Sequence, residues 1–180
     1  FQLFPFGRAI LNSVFISVTT TVIVVMSSSM AAYVFAKIPF KGRELVFTLF
    51  LMTMMIPGQV TMIPNFLVLR YLGLLNTYLG VLLPTVFNAF ATFLLRQNIR
   101  VIPDAYSEAA IIDGASHFTI FWRIIIPLSR PALAALSVIT FMGTWNDYLW
   151  PLIVLTDRTK MTLPVGLGLL NTQYGNQYNL

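Results

Sequence analysis

Side chains able to do chemistry are scarce in this chain: six Asp and Glu, one His and no Cys among 180 residues. They are most concentrated in EAAIIDGASHFTIFWRIIIPLSRP, residues 108–131, which holds Glu108, Asp113, His117, Arg123 and Arg130. General acid–base catalysis needs carboxylates or an imidazole converging in a pocket, and nucleophilic catalysis needs a Ser or Cys beside a base. Glu108 and Asp113 are isolated carboxylates, and His117, the only histidine, reads as a solvated surface residue. Without cysteine, disulfides and thiolate-ligated metals are excluded. No G-x-x-x-x-G-K-[ST] phosphate loop occurs, so the chain does not itself hydrolyse ATP. No cofactor or metal is implied. What this pattern suits is docking on another protein.

The elements that must carry this stretch are apolar. The sequence is 57% hydrophobic and 9% charged, against about 25% charged in soluble domains, so the solvent is a lipid bilayer. Charge-poor runs mark four spans at roughly 9–36, 45–69, 71–95 and 131–150, giving an all-α polytopic helical bundle read as one transmembrane domain over 1–180. The first run is rich in Ser and Thr, which let helices approach closely, and belongs inside a bundle. No signal peptide is read in it, since it is too long and lacks a cleavage site. The second run carries Pro57 and Pro64, and a proline inside a span kinks the helix. The third holds Pro84 and Asn88. In the fourth, Asp147 lies among Trp145, Tyr148 and Trp150, as in an interfacial belt, where it either lines a wet cavity or bonds nearby backbone or Asn146. Pro57, Asn88, Asn146 and Asp147 are therefore the candidates for the pathway or its gate.

The net charge of +5 is spread between apolar runs, which argues against nucleic acid. Seven Lys and Arg fall in the loops 37–44 and 96–130, and four in the others, so the 100–130 segment belongs in the cytoplasm.

Residues 100–131 are too polar to span and too apolar to be disordered. Pro103 suits a first helical turn and Asp104 a helix N-terminus, predicting a helix over 105–112. Gly114 suits a left-handed C-terminal residue. Ser116 can cap a second helix over 117–124, and Ile126 before Pro127 disfavours its continuation. Ala105 and Ala109 make a face that another backbone can approach, while Phe118, Phe121, Trp122 and Ile125 form a bulky side that must be buried. An amphipathic segment resting on lipid is the competing reading, but Glu108 and Asp113 would repel anionic lipid.

The pattern Glu108-Ala109-Ala110, three residues, Gly114, nine residues, Ile124-Ile125-Ile126-Pro127 resembles the EAA loop of permease subunits of binding-protein-dependent ABC importers. Asp113, Ala115 and the Pro127–Pro131 spacing also match, and Ile126 replaces the usual leucine. Asn12-Ser13, the MIP at 55–57 and TWNDYLWPL at 144–152 are similar to the carbohydrate-uptake branch, and most similar to the maltose-type second permease, with the glycerol-3-phosphate permease a near relative. The resemblance implies a type I importer fold and a multi-pass subunit of a bacterial or archaeal inner membrane. It implies a heterodimer with a second, homologous permease, two cytoplasmic ATPase subunits and an extracytoplasmic solute-binding protein. The ATPase-coupling residues would be Glu108, Ala109, Ala110, Asp113, Gly114, Ala115, Phe118, Ile124 and Pro127. The stretch would hold the second to fifth of six spans.

Beyond Thr162 an outer loop or short helix leading to a further span is expected. Asn171, Gln173, Tyr174, Gly175 and Asn176 supply amide and tyrosine groups that hydrogen-bond without the desolvation cost of a charge; by the resemblance they would contact the binding protein. Two other classes fit the sequence less well. An intramembrane enzyme lacks a nucleophile–base pair or metal cluster. An ion-coupled secondary transporter or channel subunit would carry mid-membrane charges for coupling, and the runs here are nearly free of them.

Overall fold

The computed structural model describes residues 5–173, and these are helices joined by turns, with no strand among them. In chain order they are α1 (Phe6–Lys37), α2 (Arg43–Met52), α3 (Gly58–Tyr71), α4 (Tyr78–Leu82), α5 (Ala89–Val101), α6 (Ala105–Ile112), α7 (His117–Ile120), α8 (Ile126–Leu128), α9 (Arg130–Trp145), α10 (Leu149–Val154) and α11 (Leu163–Gln173). Of the described helices, α1 alone is long and apolar enough to cross a membrane unaided. The number rises to four if each of three broken pairs counts as one span.

The breaks follow from backbone chemistry. Ile56 precedes Pro57 and is extended, and Pro57 itself, at φ −57 and ψ 135, stands at the N-terminus of α3, as a residue before proline is driven out of the helical region. The run expected as 71–95 starts later than the sequence indicates. Helix α3 continues to Tyr71, and the chain then turns through Gly73 at φ 69 and Asn76 at φ 59. The Gly73 amide donates to Arg70 O and the Leu74 amide to Leu69 O, a Schellman ending. Hydropathy misses this turn because leucines surround it. The same run breaks again between the 3₁₀ turn Leu83–Thr85 and α5, where Asn88 Oδ1 accepts from the Ala91 amide at 2.9 Å. The fourth run is also not continuous: α9 ends at Trp145, and Asp147 lies in the gap before α10.

Contacts divide the chain into two compact units. One takes the described residues of Phe1–Thr21, Pro57–Val86 and Thr140–Leu180; the other is Val22–Ile56 with Phe87–Ile139. The seven basic residues assigned by sequence to one side all fall in the second unit, and the other four, Arg8, Arg70, Arg158 and Lys160, in the first. On α1, Ala9, Ser13, Ser17, Thr20, Val24, Ser28 and Ala32 are buried. They recur every three or four residues and so share one face, which places the Ser/Thr-rich stripe inside, as expected.

In the first unit Ile16, Leu69, Val81, Leu82, Val154 and Leu155 form one core, and Ala9, Met161 and Val165 a smaller one. Asn12 Nδ2 donates to Thr159 O at 2.9 Å and Met161 O at 3.0 Å, and its Oδ1 accepts from Tyr78 Oη at 2.8 Å. Thr162 stands where a capping residue of α11 belongs, yet its buried hydroxyl has no partner among the described residues. Ser13 Oγ on α1 supplies the missing acceptor, taking the Leu163 amide at 2.8 Å. In the second unit the core joins Val24, Ala32 and Tyr33 of α1, Ala91, Leu95 and Ile99 of α5, Leu136 of α9, and Ile120, Phe121 and Ile125 of the 100–131 segment.

Candidate functional site

The 100–131 segment folds as a helix, a left-handed turn and a second helix. Helix α6 spans Ala105–Ile112, the bounds the sequence indicates. Gly114 sits at φ 80; its amide donates to Ile111 O at 2.9 Å and the Ala115 amide to Ala110 O at 2.8 Å. These two bonds are the Schellman pair that satisfies the last carbonyls of a helix. Ser116 Oγ then accepts from the Thr119 amide at 3.3 Å, capping α7.

The second helix departs from expectation. It does not stop before Pro127 but continues as a π turn over Phe121–Ile125 and then α8. The Ile126 amide donates to Phe121 O, five residues back. A proline in a regular α-helix clashes with the carbonyl four residues earlier, here Arg123, and leaves it without a donor. The wider turn just upstream relieves that crowding, and the Ser129 amide resumes the ladder on Ile125 O at 2.9 Å.

The segment has an anchored side and a free side. Ile120, Phe121 and Ile125 are buried in the core of the second unit, with Ala110, Ala115 and Ile124 packed against it. Each large side chain so buried is worth about 1.5–3 kcal/mol relative to exposure in water. Ala105, Glu108, Ala109 and Ile112, spaced i, i+3, i+4 and i+7 along α6, are all exposed and so form one ridge. Glu108 makes no ion pair among the described residues. The bulky side expected to be buried as a whole is split. Phe121 and Ile125 are inside, whereas Phe118 is 69% exposed and Trp122 37%, their rings edge to face at 6.1 Å. A stripe spanning more than 100° of helix surface is here wider than the one core it meets. Asp113 is exposed beside Gly114, and Pro127 is half-buried at the start of α8.

Two ties to the last turns of α1 hold this segment and a third holds the helix leading into it, and none of them is legible in the sequence. Lys37 Nζ, on a side chain 5% exposed, donates to Asp104 Oδ1 at 2.5 Å and to Ile102 O at 2.5 Å. It thereby caps the end of α5 and pairs with the start of α6. Lys37 beside it holds the Asp104 carboxyl below the usual aspartate range, through the hydrogen bond first and charge attraction second. Tyr33 Oη and His117 Nδ1 are hydrogen-bonded at 3.1 Å, the imidazole tautomer deciding which donates; His117 is exposed, as expected, but not unattached. Arg96, 4% exposed on α5, donates through Nε to Phe35 O at 3.1 Å and through Nη2 to Glu44 Oε1 at 2.6 Å, with its guanidinium 3.9 Å from the centroid of the Phe47 ring. In the sequence Lys37 and Arg96 register only as orienting charges.

The pathway candidates take separate places. Pro57 is exposed at the start of α3, and Asn88 caps α5. Asn146 Nδ2 donates to Met142 O at 2.8 Å, and Asp147 Oδ1 accepts from the Trp150 amide at 3.5 Å, the local backbone bonding that its position suggests. Asn171 and Gln173 lie in α11, a helix longer than the short one expected there, whereas Tyr174, Gly175 and Asn176 lie outside the described residues. No group of three or more potential metal ligands occurs among the described residues.

Residues 23–180 match the family described as binding-protein-dependent transport system inner membrane component. The chain is 41% identical over 169 residues to the arabinooligosaccharides transport system permease protein AraQ of Halalkalibacterium halodurans, covering 94% of this chain and 61% of that one. It is 42% identical over 163 residues to the sn-glycerol-3-phosphate transport system permease protein UgpE of Yersinia pestis, covering 91% and 58%. To the lactose transport system permease protein LacG of Rhizobium radiobacter it is 39% identical over 167 residues, covering 93% and 61%. The chain thus spans about three fifths of the length of these curated relatives. Among solved structures, a bacterial ABC transporter involved in the import of the acidic polysaccharide alginate superposes with a TM-score of 0.84 at 32% identity, covering 97% of this chain and 61% of that one.

Proposed function

The chain belongs to the family of binding-protein-dependent transport system inner membrane components, and on that premise we propose that it is a transmembrane subunit of an ATP-driven importer of sugars or related solutes. Its helices line part of the translocation pathway. The 100–130 segment lies in the cytoplasm and docks on ATPase subunits, which hydrolyse the ATP. A second, homologous permease completes the pathway as a heterodimer, and an extracytoplasmic solute-binding protein delivers the solute on the side of the membrane opposite the 100–130 segment. The relatives named for arabinooligosaccharides, glycerol-3-phosphate and lactose favour a hydroxyl-rich solute.

The observation that carries this reading is the two-sided build of the segment. Ile120, Phe121 and Ile125 fix it to the second unit, while Ala105, Glu108, Ala109, Ile112 and Phe118 are left open. A carboxylate flanked by alanines on such a ridge suits a cleft in a protein better than lipid headgroups. The test is co-purification of the full-length permease with its ATPase subunits from membranes. Glu108→Lys is expected to lower recovery of the ATPase about tenfold, the effect of a lost charged contact at an interface. Unchanged recovery together with unchanged uptake would overturn the docking role.

A further inference from the structure

We infer that Tyr33 and Lys37, on the last turns of α1, are positioning residues that fix the docking segment to the transmembrane helix, so that movement of the segment is passed to α1 rather than absorbed by its hinges. The inference rests on the docking role proposed above and adds to it the route by which movement enters the membrane.

Helix α6 is short, and the connections on either side of it are suited to hinging. Upstream, Ile102 is extended at φ −65 and ψ 125, followed by Pro103. Downstream is the left-handed Gly114, which has no atom within 4 Å of where a side chain would begin. A push on a helix held only by such turns would rotate it and go no further. Lys37 closes the upstream hinge: one ammonium bridges Ile102 O, within the hinge, and Asp104 Oδ1, after it. Tyr33 closes the downstream side, because His117 is the first residue of α7. Tyr33 and Lys37 are one turn apart on α1 and therefore on one face. Tyr33 also packs on Phe121, ring centroids 5.6 Å apart, so its hydroxyl is aimed by a buried contact. Between them, the Phe35 carbonyl accepts from buried Arg96 of α5, which ties the same turns of α1 to the helix leading into the segment. Packing alone needs neither a buried ammonium nor the hydroxyl of Tyr33; an apolar Met or Phe would fill the same space at less desolvation cost.

The test uses the full-length permease assembled with its partner subunits in proteoliposomes. The double variant Tyr33→Phe with Asp104→Ala removes one hydroxyl and trims one exposed side chain, leaving Lys37 its bond to Ile102 O. The expected result is a fall of about fivefold or more in solute imported per ATP hydrolysed, the effect of losing about 1 kcal/mol of coupling, with ATPase co-purification unchanged. Restoring the carboxylate as Asp104→Glu in the Tyr33→Phe background recovers part of the ratio. A second readout is independent of transport: spin labels at Val34→Cys and Tyr106→Cys in the permease alone give a distance distribution that broadens in the double variant. An unchanged import ratio or an unchanged distance distribution in that variant overturns the inference. Failure of the unaltered permease to recover any ATPase instead overturns the docking role on which it rests.

Discussion

Gly114 is the residue at which the 100–131 segment can be perturbed without touching anything else. Its φ of 80 lies in the left-handed region, and a Cβ built there meets nothing within 4 Å, so a substitution acts through the backbone alone. An L-residue held in this region costs about 1–2 kcal/mol, and β-branched side chains tolerate it least. If Gly114→Val keeps the turn, it takes on that strain. If it leaves the left-handed region, the bonds Gly114 N–H to Ile111 O and Ala115 N–H to Ala110 O are lost, at about 0.5–1.5 kcal/mol each. The chain takes the cheaper route, which at about 1–2 kcal/mol moves the turn's equilibrium by about 5–30-fold. The order expected is Gly, then Asn, then Ala, then Val, since Asn visits this conformation more readily than other side chains. Two assays read it in the full-length permease: hydrogen exchange at the amides of residues 114 and 115, and solute imported per ATP in the assembled importer. Protection and coupling should fall together along the series. A valine variant with the exchange rates and coupling of the parent refutes the reasoning, because no neighbouring atom is available to compensate.

Three further outcomes follow from single contacts. Ser13→Ala removes the acceptor of the Leu163 amide and is expected to destabilise the start of α11 by about 1 kcal/mol, as loss of an N-cap does, read as faster exchange at Leu163. Gly80→Ala places a Cβ against the Leu74 carbonyl oxygen and 3.1 Å from Val154 Cγ1; overpacking of this kind costs about 1–3 kcal/mol, so the thermal midpoint should fall, and an unshifted midpoint would show that the 72–77 turn yields freely. The Asp104 carboxyl is held below its ordinary value by Lys37, so its folded pKa lies under the unfolded one of about 3.9. The stability it supplies is complete above that unfolded value and is lost as pH falls through the depressed one. Protection of the α6 amides should therefore be flat from neutral pH down to about 4.5 and decline below, a decline missing from Asp104→Asn.

Local signals were the legible ones. The bounds of α6, the left-handed Gly114 and the Ser116 cap each depend on residues a few places apart, and each stands where the sequence puts it. The turn through Gly73 and Asn76 was illegible for the opposite reason: it is embedded in leucines, and a hydropathy window sums over it. Pro127 misled because its rule describes an α-helix, and the chain uses a π turn, for which no residue type is diagnostic. The ties to α1 from His117, Asp104 and Arg96 span 84, 67 and 61 residues of sequence. A buried lysine paired across such a distance has the same letter as one that merely orients a loop.

Phe118, Phe121, Trp122 and Ile125 show where a single sequence stops being informative about burial. Their spacing is that of one continuous apolar stripe, and periodicity assigns all four to a core. Among the described residues only Phe121 and Ile125 find one, while Phe118 and Trp122 remain in the open. Hydrophobicity reports that a side chain must leave water, not which molecule receives it. The two edges of the stripe should therefore respond differently to truncation. Phe121→Ala opens the chain's own core and should lower its stability by about 3–5 kcal/mol, with or without other subunits. Phe118→Ala removes a side chain already 69% exposed and should leave the isolated permease nearly unchanged, within about 0.5 kcal/mol, while weakening its recovery of the ATPase. Equal losses of stability for both variants in the isolated full-length permease would mean that Phe118 packs within the chain after all and is not kept for a partner.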